Sequence, residues 1–141
     1  MSSEKLFVDS STIIIGIKNP NSNSSLVLDL IREKKVEAIT SQKALEEVTE
    51  FFSINNGKNF GSKVNFFVKQ FFVVIPRHVV QKEIKKFADK IKDKDLEHLA
   101  TSKFAGAKIV AVDKHFKPFK EYLTPKQMIQ KLGLKPYDTD F

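Results

Sequence analysis

The chain has 141 residues, is 41% hydrophobic, carries 24 Lys and Arg against 17 Asp and Glu for a formal charge of +7, and contains no cysteine. Its length suits one compact domain with a substantial core, and its cationic balance favours a polyanionic partner over an acidic protein surface or a bilayer. Without thiols, disulfides, thiolate metal ligands and cysteine nucleophiles are excluded, and an intracellular, cytoplasmic setting fits best. No apolar stretch approaches the roughly 20 residues that cross a membrane, and MSSEKLFVDSS lacks the charged-then-apolar layout of a signal peptide.

In chain order, residues 5–8 read as a short strand and 11–17 as a helical turn or two, ended by Asn19-Pro20. Leu26, Val27, Leu30 and Ile31 give residues 22–35 a helical spacing, and residues 36–40, VEAIT, follow as a strand. Ser41 is placed to cap a helix with Ala44, Leu45, Val48, Phe51 and Phe52 on one face. INNGKNFGS, residues 54–62, reads as a loop between helices, with a further helix over about 62–70 and a strand, FFVVIP, over 71–76. Helices are predicted near 77–91 and from about 94 to 105, then a strand, KIVAVD, over 108–113, a short EYLT strand and a last helix over about 125–132. The tail from about 133 is expected to be loosely ordered. Strands separated by helices argue for a layered α/β sandwich with a mainly parallel sheet, whose ligands bind beyond the carboxyl ends of the strands.

Acidic residues gather at those ends. Asp9 follows the first strand, and Asp113 closes the strand over 108–113. On the helix after Ser41, Glu46 and Glu50 fall opposite the apolar stripe while Glu47 lies at its margin, which makes Glu47 the glutamate able to face a pocket. Asp95 lies in the first turn of its helix beside a face predicted from Leu96, Leu99, Ala100 and Phe104, and Asp93 is an N-cap or an auxiliary ligand. Carboxylates brought within a few ångströms raise one another's pKa, so a fully charged set needs a cation. An all-oxygen set points to Mg2+ or Mn2+ rather than Zn2+.

These motifs, FVDSS, TSQKALEEV, DLEHLATS and IVAVDKHF, resemble in order and spacing those of the PIN-domain family over nearly the whole chain. The resemblance implies a single PIN-like domain over residues 1–141, a three-layer α/β/α sandwich with a mainly parallel central sheet. It implies an acidic metal site of Asp9, Glu47, Asp95 and Asp113 holding Mg2+ or Mn2+, with Ser11 as the accompanying small polar residue. Many members are metal-dependent ribonucleases, toxins of toxin–antitoxin pairs among them, so the expected activity is hydrolysis of RNA phosphodiester bonds, with RNA as substrate and an antitoxin as a possible partner. One departure is Ala111, where the family often has threonine. A non-catalytic RNA-binding or protein-interaction module is the alternative.

Other residues receive plainer assignments. His98 points away from the apolar stripe of its helix and is placed on the outer face, and an oxygen-only site does not need it. Lys114, His115 and Lys117 flank the last aspartate and are candidates for touching substrate. Lysines 82, 85, 86, 90, 92 and 94 form a solvated, phosphate-attracting face. The pairs Phe51-Phe52, Phe66-Phe67 and Phe71-Phe72 exceed what a small core easily buries, which suggests a homodimer face. An aspartyl-phosphate chemistry at Asp9 is disfavoured, because the second aspartate such a turn carries two residues on is here Ser11.

Overall fold

Leu6, Phe7 and Val8 have no exposed surface, as befits a strand covered by helices on both faces of a parallel sheet. The computed structural model describes residues 4–89, 93–119 and 121–141. Lys90 and Lys92 lie outside the described residues, as do the side chains of Phe87, Asp93 and Lys94. It sets this strand, β1 (Lys5–Val8), at the centre of a five-stranded, wholly parallel sheet of order β3-β2-β1-β4-β5. The other strands are β2 (Glu37–Ser41), β3 (Phe72–Ile75), β4 (Lys108–Val110) and β5 (Tyr122–Leu123). Val8 is paired with Val110 and Val110 with Leu123. The carboxyl ends of the central strands therefore finish at one edge.

Alternation along the strands divides the core in two. Leu6, Val8, Ala38, Val110 and Phe72 face a large cluster supplied by α1 (Ser10–Lys18), α2 (Asn23–Arg32), α3 (Gln42–Asn56), α4 (Lys58–Phe71) and α7 (Pro125–Lys131). Phe7, Ile39, Ile109 and Ala111 face a smaller cluster with Leu99 of α6 (Asp93–Ala105) and with Phe116. α5 (Gln81–Phe87) packs against α6. The layers are those of an α/β/α sandwich.

Several expectations need correction. The loop over 54–62 is absent: α3 runs on to Asn56 and α4 begins at Lys58, with Gly57 alone between them at φ +94°. Only glycine adopts that conformation cheaply, so one residue suffices to reverse the chain. At the crossing, a Cβ on Gly61 would collide with Ser53 Oγ and stand 3.0 Å from Ser53 Cα, and this glycine is what lets the two helices touch. The predicted helix near 77–91 opens as a 3-10 turn, Arg77–Val80, ahead of α5. β4 stops at Val110 because Asp113 turns its side chain onto His115 N at 2.9 Å, a local bond that draws the backbone into a 3-10 turn over Lys114–Phe116.

The phenylalanine pairs are largely absorbed by the fold. Phe52 and Phe72 are buried, Phe51, Phe67 and Phe71 pack against the large cluster, and Phe66 is left 67% exposed beside the solvent. Edge-to-face contacts account for this capacity, with ring centroids 5.1 Å apart for Phe51–Phe52 and 5.3 Å for Phe52–Phe60. Phe104, predicted on the buried face of α6, is half exposed.

The segment after Gly133, expected to be loose, is tied down by a buried side chain. Asn23 Nδ2 donates to the carbonyls of Tyr137 and Thr139, and Asn23 Oδ1 accepts from Tyr137 N at 2.8 Å. Backbone bonds from Asn23 N to Phe141 O at 2.9 Å and from Lys126 N to Asp140 O at 3.0 Å complete the attachment. Asn23→Ala removes three side-chain bonds whose partners water partly resatisfies, so a loss of about 2 kcal/mol is expected in urea unfolding. An unchanged midpoint would show that the clamp contributes nothing.

Candidate active site

Asp9 leaves β1 in an extended conformation and caps α1. Its Oδ1 accepts from Thr12 N at 3.0 Å and from Thr12 Oγ1 at 2.6 Å, which leaves Oδ2 clear of both bonds. The side chain is buried, and burial pushes its pKa up to about 6; the Thr12 bonds and the nearness of His98 oppose the rise, while Asp113 adds to it. Asp9 and Asp113 thus feel one another across the ends of β1 and β4. Tyr122 of β5 is raised by burial and then by the charge of Asp9, with Asp140 and Asp113 adding.

Glu47 reaches the same edge from α3, while Glu46 and Glu50 point to solvent as their spacing requires. Ser41 caps α3 as expected, accepting from Ala44 N at 2.9 Å. Glu47 Oε1 accepts from Ser10 Oγ at 3.2 Å and meets His98 Nε2 at 3.1 Å. Burial pushes Glu47 upward, but the bond and charge of His98, the bond from Ser10 and the charge of Lys43 together hold it below its ordinary value.

His98 overturns its assignment to the outer face. It is 3% exposed, its ring lies 5.7 Å from that of Phe7, and Ser41 Oγ stands 2.8 Å from Nδ1. Ser41 Oγ also accepts from Ala44 N, and at the other end of the ring the Glu47 carboxylate, which can only accept, takes the Nε2 hydrogen. The amphipathic wheel misplaced His98 because α6 is buried on more than its apolar stripe: Asp95, Glu97, Thr101 and Ser102 are buried as well. Glu97 accepts from Lys43 N at 2.8 Å at the start of α3, and it pairs with Arg77, which also binds Glu46 at 2.6 Å.

Asp95 stands one turn before His98 on α6 and is 5% exposed. Its Oδ2 meets His115 Nδ1 at 2.9 Å, and the same nitrogen is 3.0 Å from Asp113 Oδ1. Among the described residues, ligand atoms of Asp95, Asp113 and His115 lie within 4.8 Å of one another. Lys114 and Lys117, in and just after the turn that carries His115, are exposed. The hydroxyls bonded to the carboxylates belong to Ser10 and Thr12; Ser11, singled out from the sequence, is half-buried beside them. Thr12 was legible as the partner three residues after an N-cap aspartate, and His98 as the residue one turn from Asp95. The side chain of Asp93, at the start of α6, is outside the description.

A parallel five-stranded sheet, helices on both faces and acids at the strand ends define the PIN-like α/β/α fold that the motifs resemble. Among the solved structures that share it are three toxin or toxin–antitoxin structures. VapC20 from Mycobacterium tuberculosis, a toxin that cleaves the sarcin–ricin loop, superposes with a TM-score of 0.63 at 14% identity over 82% of this chain and 95% of that one. A toxin–antitoxin complex from Klebsiella pneumoniae matches with 0.65 at 15% identity over 88% and 98%, and VapBC2 from Rickettsia felis, bound to a promoter DNA fragment, with 0.59 at 16% over 85% and 96%. No protein-family model and no curated sequence matches the chain.

Proposed function

We propose that the chain is a single PIN-like domain, residues 1–141, acting as a divalent-metal-dependent endoribonuclease of the toxin type, cytoplasmic, homodimeric and held in check by an antitoxin protein. The observation that carries this is the convergence of Asp95 and Asp113 in one set of ligand atoms beside Asp9, whose burial holds its pKa near 6. The likeness to a toxin that cleaves the sarcin–ricin loop and to toxin–antitoxin assemblies adds support. Among the described residues no helix is long and apolar enough to cross a membrane.

The donor chemistry fits Mg2+ or Mn2+: a buried carboxylate whose charge is disfavoured gains most from a cation beside it. Asp9, Glu47, Asp95 and Asp113 would hold the ion, which supplies Lewis acidity toward water and toward the scissile phosphate. The chain's own contribution is alignment. Thr12 fixes Asp9 by one oxygen, Ser10 and His98 fix Glu47, and the exposed Lys114 and Lys117 form a cationic rim for the RNA phosphates.

The test is cleavage of a panel of structured and unstructured RNAs with Mg2+ or Mn2+ against EDTA, using Asp113→Ala as control. Ion-dependent products absent from the variant are expected. Binding of RNA without cleavage under any ion would replace this reading by the non-catalytic module. His98→Ala leaves Glu47 without its brace, and a fall of about 10–100-fold in kcat is expected. His98→Gln, which keeps a donor, should recover part of it; equal loss in both variants would make His98 a packing residue only.

A further inference from the structure

We infer that His115 is a nitrogen ligand of the divalent-ion centre, closing it with Asp95 and Asp113, so that the site favours Mn2+ over Mg2+. The inference rests on the metal-centre reading above and departs from the oxygen-only set expected from the sequence.

Three lone-pair atoms from two separate elements meet here. Asp95 Oδ2 comes from α6, and Asp113 Oδ1 and His115 Nδ1 from the turn after β4. Nδ1 stands 2.9 Å from the first oxygen and 3.0 Å from the second. An imidazole nitrogen carries at most one hydrogen, which cannot point squarely at both carboxylates. A cation would satisfy all three atoms together: the two N–O separations match the roughly 3 Å between neighbouring ligands of an octahedral ion with bonds of about 2.1 Å, and all three atoms lie within 4.8 Å of one another.

The ring is also built into place. His115 N donates to Asp113 Oδ1 at 2.9 Å, the next residue, Phe116, is wholly buried, and Asp95 is 5% exposed. The imidazole itself remains one-third exposed, which leaves an approach from solvent. A mixed imidazole and carboxylate set suits Mn2+ and later transition ions, whereas Mg2+ takes oxygen almost alone. His98 does not compete for this role, because both its nitrogens are engaged by Ser41 and Glu47.

Mn2+ titrated into the full chain, followed by pulsed electron paramagnetic resonance, reads nitrogen ligation directly. The native chain and His98→Gln should both show 14N coupling to Mn2+, and His115→Gln and His115→Ala should lose it. Mn2+ affinity should fall about tenfold or more in the His115 variants, with Mg2+ affinity changed little. Bound Mn2+ without 14N coupling, or coupling that survives in the His115 variants, overturns the inference and leaves the carboxylate centre standing. If the native chain binds no Mn2+, the metal-centre reading fails and this one with it.

Discussion

Asp9→Asn should abolish RNA cleavage and, in the same protein, raise stability at neutral pH in the absence of divalent ions. The amide keeps the oxygen that Thr12 binds while removing a charge that burial disfavours. Under the proposed function, losing Asp9 as a ligand costs several kcal/mol at the transition state, roughly a thousandfold in rate. The sign of the stability effect follows from the protons. An unfolded aspartate ionises near 3.8 and the folded one near 6, so between these values the folded state holds the extra proton and stability falls as pH rises. Below the lower value nothing is lost; above the higher one the full cost, up to about 3 kcal/mol, is present. Urea unfolding with EDTA should therefore show the native chain weakening relative to Asp9→Asn from about pH 4 to about pH 6.5 and level beyond. Mn2+ should restore the native chain alone. Parallel pH profiles for the two proteins would mean that Asp9 carries no burial cost.

Gly61→Leu should destabilise the α3–α4 hairpin, and with it the seat of Glu47. The first added carbon already collides with Ser53, whose Cα at 3.0 Å belongs to backbone that cannot step aside. Overpacking of this kind costs about 3 kcal/mol, or about 10 °C in melting temperature for a chain of this size. Gly61→Ala is the finer probe. It gains about 1 kcal/mol of helix propensity and loses a comparable amount to the contact, so it should be near neutral or destabilising, and Ser53→Gly should relieve it. Circular dichroism melts separate these cases, and a Gly61→Leu variant as stable as the native chain would show that the helices do not depend on this approach.

Much of this architecture could be read before any coordinates. The apolar run at β1, the cap at Ser41 and the margin position of Glu47 are local signals of period and capping, and each took its expected place. Where reading stopped, tertiary contact had taken over. INNGKNFGS has a loop's composition, yet its asparagines extend helices because Gly61 lets α4 close on α3. His98 looked like a solvent residue because a helical wheel knows one neighbour, whereas α6 meets the sheet, α3 and the turn after β4. His115 was legible as a residue near Asp113 but not as one whose ring bridges two acids, since nothing in DKHF announces Asp95 twenty positions earlier. The tail's anchorage depended on Asn23, more than a hundred residues away.

The central place of β1 also sets a timetable. Of its two neighbours in the sheet, β2 (Glu37–Ser41) is made well before β4 (Lys108–Val110), so Asp9 and Glu47 emerge from a ribosome before Asp95 and Asp113. At about 5–20 residues per second this interval lasts several seconds. Throughout it the nascent chain would carry half of the proposed centre and no means of cutting RNA. Under the proposed function, the order of strands gives a nuclease a harmless childhood.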